Sequence, residues 1–287
     1  MMAICLPWVL LATDIAVATI FRDEAVYLKE FVEYHRMIGV THFYLYNNES
    51  QDSYLEVLTP YIDEGLVEVI DVPVSSDFIG LQCKVYSDAV SRALGKSDWV
   101  AFIDTDEFLL PMQDGSLTEC LERHFSDCSA IYACWRMFGT SSKTIPNIAP
   151  IVCELTMASK RSHVQNYVGK SLIRPEVADT EKWWHPHFCP LKGDLNYVTG
   201  DKTSMRFNGI DLVSDFKTHD KYLRINHYIF RDEGFFYTHK MERIRRWQRS
   251  LKRVMKHYYS FNLVKETTII DFIKKNYRRE YETIWNH

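Results

Sequence analysis

Glycine-rich nucleotide signatures are missing from this 287-residue chain. Neither G-x-G-x-x-G nor G-x-x-x-x-G-K-[ST] occurs, which removes the usual support for a dinucleotide oxidoreductase or a P-loop enzyme. No G-x-S-x-G elbow is present either, so a serine hydrolase of the α/β type has no nucleophile turn. The seven cysteines (5, 83, 120, 128, 134, 153 and 189) include no C-x-x-C pair. Their odd number and scatter fit buried thiols in a reducing compartment, not a disulfide frame or a zinc site. A long hydrophobic run is also lacking. The opening stretch MMAICLPWVLLATDIAVATIF is broken at Asp14 and falls far short of the ~20 apolar residues of a membrane span. It lacks the basic n-region of a secretory signal, and reads as an N-terminal strand pair of a cytoplasmic enzyme. A net charge of only −4 argues against nucleic acid as the main partner.

The length suits one large α/β domain with a helical appendage. Aromatic residues make up 14% of the chain, enough to supply both a core and surfaces for stacking on sugars or bases. Between Lys240 and Lys256 eight basic residues (Lys240, Arg243, Arg245, Arg246, Arg249, Lys252, Arg253, Lys256) face one acid, Glu242. Such a run is either a solvated helix face or a contact for the anionic inner face of a membrane.

Strand-like and helix-like patterns alternate through the first 110 residues. DIAVATI (14–20) is a buried strand, and Tyr27, Leu28, Phe31, Val32 and His35 then recur at helical spacing up to Gly39. THFYLYNN is a second strand, 52–63 a helix stopped by Gly65, LVEVIDV a third strand, 82–94 a helix stopped by Gly95, and WVAFI a fourth strand. This alternation predicts a mostly parallel sheet flanked by helices, with ligands beyond the carboxyl ends of the strands. Three strands end in polar clusters (RDE, NNESQD and DTDE), which should converge at one edge. After residue 110 a helix over 115–126 and a strand over 131–139 are expected. Short strand-like runs fill 140–225, and helices follow from Phe235, the last over 267–284. The organisation reads as one domain: a donor-binding half (14–110), an acceptor-side half (111–234) and a basic helical region (235–287).

Asp104-Thr105-Asp106 follows the fourth strand directly. Two carboxylates two residues apart at a strand end can both reach one manganese or magnesium ion, which prefers oxygen ligands and keeps positions open for phosphate. The alternative is a solvated turn. A third ligand is expected at His227, with His185 and His187 as rivals that would also suit an acceptor pocket walled by Trp183 and Trp184. Arg22 and Glu24 after the first strand, and Asn47 and Asn48 after the second, stand where a nucleotide would lie. Arginine offers a forked donor to phosphate, and asparagine can read a uracil edge; helix capping is the competing role.

The string FRDEAVYLKEFVEYHRMIGVTHFYLYNNESQD resembles the opening of glycosyltransferase family 92 and its bacterial family 2-like relatives in the GT-A superfamily. The Gln82–Asp88 stretch, WVAFIDTDEFLLP, WRMFG (135–139), KSLIRP (170–175) and Asn226-His227-Tyr228 continue the resemblance over roughly 14–245. It implies a GT-A-type, Rossmann-like α/β fold with C-terminal helices, and transfer from a nucleoside-diphosphate sugar, UDP-linked, to a glycan, lipid-linked or protein-linked acceptor. It also implies Asp104, Asp106 and His227 as metal ligands, and Arg22, Glu24, Gln82, Lys84 and Asp88 near the donor. Thr19, Phe21 and Thr105, at the ends of the same strands, complete the donor set. Inversion would need a carboxylate base. The candidates are Glu107, which could instead orient the metal site, Asp232 and Glu233. Here the chain reads HYIFRDEGFF where relatives carry Ser and a later acidic pair, and Asp23 replaces the usual Asn. The competing readings are a catalytically inactive GT-A-like domain that binds nucleotide or glycan, and a nucleotidyltransferase. The intact D-x-D and His227 weigh against the first, and the absence of a basic Gly-rich loop after the first strand weighs against the second.

Overall fold

The computed structural model describes residues 13–145, 150–183, 185–195, 197–205, 218–246 and 250–285. The expected pairing of the N-terminal 12 residues, and Trp184 and Arg249, lie outside these.

The first half follows the expected alternation closely: β1 (Ile15–Phe21), α1 (Ala25–Met37), β2 (His42–Asn47), α2 (Tyr54–Asp63), β3 (Val67–Asp71), α3 (Phe78–Ala93) and β4 (Trp99–Phe102). Glycines end the helices for a physical reason. Gly39 has φ +112°, and a Cβ there would lie 2.4 Å from the Thr118 hydroxyl, so both backbone and space exclude a side chain. Helix α3 starts four residues before the expected 82, because the Asp77 carboxylate accepts from the Gly80 amide and caps it (2.9 Å).

The second half contains β5 (Glu107–Pro111), α4 (Leu117–Phe125), β6 (Ala130–Met137), a short α5 (Ile151–Glu154), β7 (Met157–Ala158), β8 (Gly169–Ile173), β9 (Tyr197–Thr199), β10 (Ser204–Met205) and β11 (Leu223–His227). Then come α6 (Glu233–Phe235), which continues as a π-helical turn over Phe236–Lys240, α7 (Met241–Arg246), α8 (Leu251–Ser260), β12 (Val264–Lys265) and α9 (Thr268–Asn276). The single helix expected over 267–284 is interrupted at Tyr277, whose backbone leaves the helical region and whose hydroxyl donates to the Gly115 carbonyl (2.8 Å).

The main sheet runs β10-β9-β6-β8-β4-β1-β2-β3, with β11 beside β6 and β5 beside β11. Strands β1 to β4 are mutually parallel where they pair, and β6 is parallel to β9 and to β11. β8, β10 and β5 run against their neighbours. Alternate residues of β1 face two cores. Ile15, Val17 and Phe21 join the layer under α1, α2 and α4, while Ala16, Ala18 and Ile20 join the layer under α3. A strand buried on both faces has no polar alternation, which is why β1 reads as a continuous apolar run. Among the described residues no helix is long and apolar enough to cross a membrane.

Candidate active site

The expected convergence at one sheet edge is present. Phe21 stands opposite Asn47, and Asn47 opposite Asp71, so the first three strands end in line. Beyond β4, Asp104-Thr105-Asp106 forms a tight link into β5, closed by the Glu107 amide on the Asp104 carbonyl (3.0 Å). The Glu107 carboxylate in turn accepts from the Asp104 amide (2.9 Å). Antiparallel pairing of β5 with β11 sets His227 opposite Glu107, and the Tyr228 amide donates to the Asp106 carbonyl (2.8 Å). Local sequence predicts the acidic turn; only the ladder delivers the histidine, from some 120 residues further along the chain.

Five side chains then form one charged network. His227 Nε2 lies 3.5 Å from Asp106 Oδ1, and its Nδ1 3.8 Å from Glu107 Oε1. The Lys170 ammonium donates to Asp104 Oδ2 at 2.8 Å and stands 3.7 Å from Glu107 Oε2. Glu107 and Lys170 are buried, whereas the Asp104 side chain is 37% exposed. Burial pushes the Glu107 carboxyl well above its ordinary range, with Asp104 and Asp106 adding to it and Lys170 opposing. For Lys170, burial favours the neutral amine, but Asp104 and Glu107 outweigh it and raise the pKa. Burial would also raise Asp106; His227, Arg231 and Lys240 reverse the sign and hold it far below the carboxylate range.

Lys170 was not among the expected site residues, although a lone cation in the strand GKSLI was a visible signal. Its backbone is brought close by Gly169, where any Cβ would sit 2.1 Å from the Ala133 carbonyl of β6. Arg231 is the second unanticipated member. It is buried, donates to the Thr105 hydroxyl (3.1 Å), pairs with Glu24 (2.5 Å) and lies 3.5 Å above the Tyr27 ring. Glu24 and Thr105 are thus clamped to the segment after β11.

Other expected residues have positions and partners of their own. The Asn47 side chain donates to the Tyr54 hydroxyl and Asp71 and accepts from the Ser50 amide. Asn48 donates to the Val72 and Pro73 carbonyls, so both asparagines brace β2 against the turn after β3. Gln82 does join the site, donating to Asp104 Oδ1 (3.1 Å) and Tyr86. Lys84 is exposed on α3, and Asp88 accepts from Tyr46 and pairs with Arg92. Arg22 is exposed beside Asp23 at 3.6 Å. Thr19 and Phe21 are buried at the end of β1. Asp232 uses both oxygens on backbone amides, those of Ile145 and Phe235. Glu233 accepts from the Thr140 and Tyr258 hydroxyls. The pocket wall expected of Trp183 is corrected by its position in the core, 4.9 Å from Phe102 and 5.8 Å from Tyr86. His187 stands behind Trp135 (5.1 Å), whose ring also contacts His227 at 4.5 Å.

The residues present fit a small divalent cation. One ligand atom each of Asp106, Glu107 and His227 lies within 4.8 Å of the others. The 3.5 Å between Asp106 Oδ1 and His227 Nε2 is close to the spacing of two neighbouring ligands on one manganese, and the mixed oxygen and imidazole set suits that ion. Asp104 stands outside this group, with its two oxygens engaged by Gln82 and Lys170.

Comparison with known proteins gives a consistent affiliation. A glycosyltransferase family 92 protein of Oryza sativa subsp. japonica is 30% identical over 209 residues, covering 70% of this chain and 34% of that protein. One of Ricinus communis is 25% identical over 209 residues, covering 68% and 35%. The chain therefore spans about a third of the length of the curated relatives it matches. Staphylococcus aureus TarS 1–349, solved in complex with UDP-GlcNAc, aligns with a TM-score of 0.39 at 12% identity, covering 69% of this chain and 60% of that one. Glucosyl-3-phosphoglycerate synthase from Mycobacterium tuberculosis, solved with Mn2+, UDP and glucosyl-3-phosphoglycerate, aligns with a TM-score of 0.34 at 15% identity, covering 58% of each chain. The sequence model of glycosyltransferase family 92 matches residues 14–284, nearly the whole chain, and this chain belongs to that family.

Proposed function

We propose that the chain carries a cation-dependent transferase site that takes a nucleoside-diphosphate sugar, UDP-linked, and passes the sugar with inversion to a glycan, lipid-linked or protein-linked hydroxyl. The observation that carries this reading is the Asp106–His227 pair, set beside an excess of carboxylate where the parallel strands end. Family membership supports the same chemistry. A manganese or magnesium ion held there would supply Lewis-acid stabilisation of the departing diphosphate.

The chain's own groups divide the remaining work. Asp106 and His227 hold the ion. Asp104 keeps its bonds to Gln82 and Lys170 and becomes a ligand only where those release it. Inversion needs a carboxylate to take the acceptor proton. Asp232 is committed to two amides and Glu107 is sealed from solvent, so we assign the base to the partly exposed Glu233. The donor side is 14–110 and the acceptor side 111–234.

The basic region fits peripheral contact with anionic lipid. Arg245, Lys252, Arg253 and Lys256 are exposed, with Leu251 and Tyr259 exposed beside them; the side chains of Arg243 and Arg246 lie outside the described residues. Liposome flotation should depend on anionic lipid and weaken with salt, and indifference to both refutes the contact.

A panel of nucleotide sugars, assayed for hydrolysis with and without EDTA, tests the main reading. One UDP-sugar should be turned over only with divalent metal. Full turnover in EDTA, or binding of nucleotide with no turnover of any donor or acceptor, overturns it.

A further inference from the structure

Two buried atoms of the site, His227 Nδ1 and Glu107 Oε1, have no hydrogen-bond partner among the described residues and face each other at 3.8 Å. The β5–β11 ladder fixes their approach, because His227 and Glu107 are direct partners in its register. The other ring nitrogen, Nε2, looks toward Asp106 Oδ1 at 3.5 Å. The other carboxylate oxygen, Glu107 Oε2, accepts from the Asp104 amide and lies 3.7 Å from Lys170. Trp135 packs 4.5 Å from the imidazole and restricts its rotation.

We propose that Glu107 is a positioning residue of the cation site, neither ligand nor base. Once the ion is bound, its Oε1 closes from 3.8 Å to accept a hydrogen bond from His227 Nδ1–H, which selects the tautomer whose Nε2 lone pair points to the ion beside Asp106. Histidine ligands are commonly oriented in this way by a carboxylate behind the ring. Exposure separates the roles. The Asp106 side chain is 18% exposed and can meet a phosphate arriving from solvent, while that of Glu107 is 0% exposed and can reach neither acceptor hydroxyl nor phosphate. Lys170 lets the fold bury this carboxylate, as an unpaired one would be costly. The inference rests on Asp106 and His227 as holders of the ion.

Manganese affinity, measured by calorimetry on the purified full chain, tests it, with folding of each variant checked by thermal melting. Glu107→Gln keeps an oxygen acceptor for Nδ1–H and should retain affinity within about 3-fold, whereas Glu107→Ala should lose about 10–100-fold. Asp106→Ala and His227→Ala should lose binding altogether. Glu107→Gln as weak as Asp106→Ala would make Glu107 a ligand and overturn the proposal, as would a Glu107→Ala variant of wild-type affinity. Wild-type affinity in both Asp106→Ala and His227→Ala would instead strike the cation reading itself, and this inference with it. The 15N shifts of the His227 ring in the magnesium-loaded wild type give a readout independent of variant folding. The Nδ1–H tautomer is expected, and a predominant Nε2–H tautomer refutes the assignment.

Discussion

Strand β11 ends in buried charge on both sides, and the two ends are unbalanced in opposite directions. At its start Arg224 lies 3.3 Å from Glu266 and 3.8 Å from Asp220, with Arg136 3.5 Å from Glu266 and Arg161 2.6 Å from Asp220. Cations exceed anions there, and the turn after β12 closes the cluster with Glu266. At its far end His227 meets Asp104, Asp106 and Glu107, with the Lys170 ammonium on Asp104, Lys240 acting on Asp106, and Arg231 paired with Glu24. The first cluster buries Arg224, Arg136 and most of Glu266, leaves Arg161 at an exposed rim, and joins the C-terminal region to the sheet. The second keeps an excess of negative charge at an open edge, which is the condition under which a divalent cation is taken up. Buried charge of one sign is tolerated only when a partner is supplied; at one end the chain supplies it, and at the other the proposed cation would.

The largest expected effect comes from breaking the open end. Asp106→Ala should lower donor turnover by about 1,000-fold or more, since several kcal/mol of leaving-group stabilisation depend on the ion. The same change removes a carboxylate that His227, Arg231 and Lys240 hold ionised, so the melting temperature should fall as well, by less than the loss of turnover. Near-normal turnover would erase the contrast. At the start of β11 stability should suffer more than turnover. Glu266→Ala leaves Arg224 and Arg136 buried without their shared partner and should cost about 3–5 kcal/mol in urea unfolding, with turnover per folded molecule little changed.

Acid titration sharpens the same contrast. Burial would raise Glu266, but Arg224 and the Thr268 hydrogen bonds outweigh it and bring its pKa down to about 2, from an ordinary 4.5. A carboxylate depressed on folding contributes stability that is fully present above the unfolded value and lost as pH falls through the folded one. The wild type should therefore lose on the order of 3 kcal/mol between about pH 5 and pH 2 from this group. Glu266→Gln should flatten that limb in denaturation curves; an unchanged limb would remove Glu266 from the account. The smallest effect is stabilisation by ligand. Manganese at 100 times its dissociation constant should add about 2.7 kcal/mol to the wild type and nothing to Asp106→Ala, as read from melting curves with and without metal.

Much of the frame was legible before any coordinate. Period and punctuation placed β1 to β4 and the helices between them, because each helix carries its own stop (Gly39, Gly65, Gly95) and β1, β2 and β4 are buried on both faces. The acidic turn after WVAFI was legible for the same local reason. Lys170, Arg231 and Glu266 were not. Their importance depends on which strand lies beside which, and no local period encodes the antiparallel meeting of β5 with β11 or the close passage of β8 across Gly169. The asparagines add a tertiary detail to a local reading: polar residues after β2 fit a nucleotide contact from sequence, and in the fold Asp71, Val72 and Pro73 accept from their side-chain amides.

Composition, period and motif order by themselves determined an α/β chain of family 92 type, with carboxylates at a strand end and a histidine far downstream. Only the tertiary structure decided that Asp104 is held by Lys170 and Gln82, that Asp106 is the carboxylate facing His227, and that Glu107 stands behind the imidazole. The physical reason is range: helix stops and strand runs are set by neighbours a few residues away. The balance of charge at this strand end is set by side chains about 60 to 120 residues apart, which meet only when the sheet pairs in register.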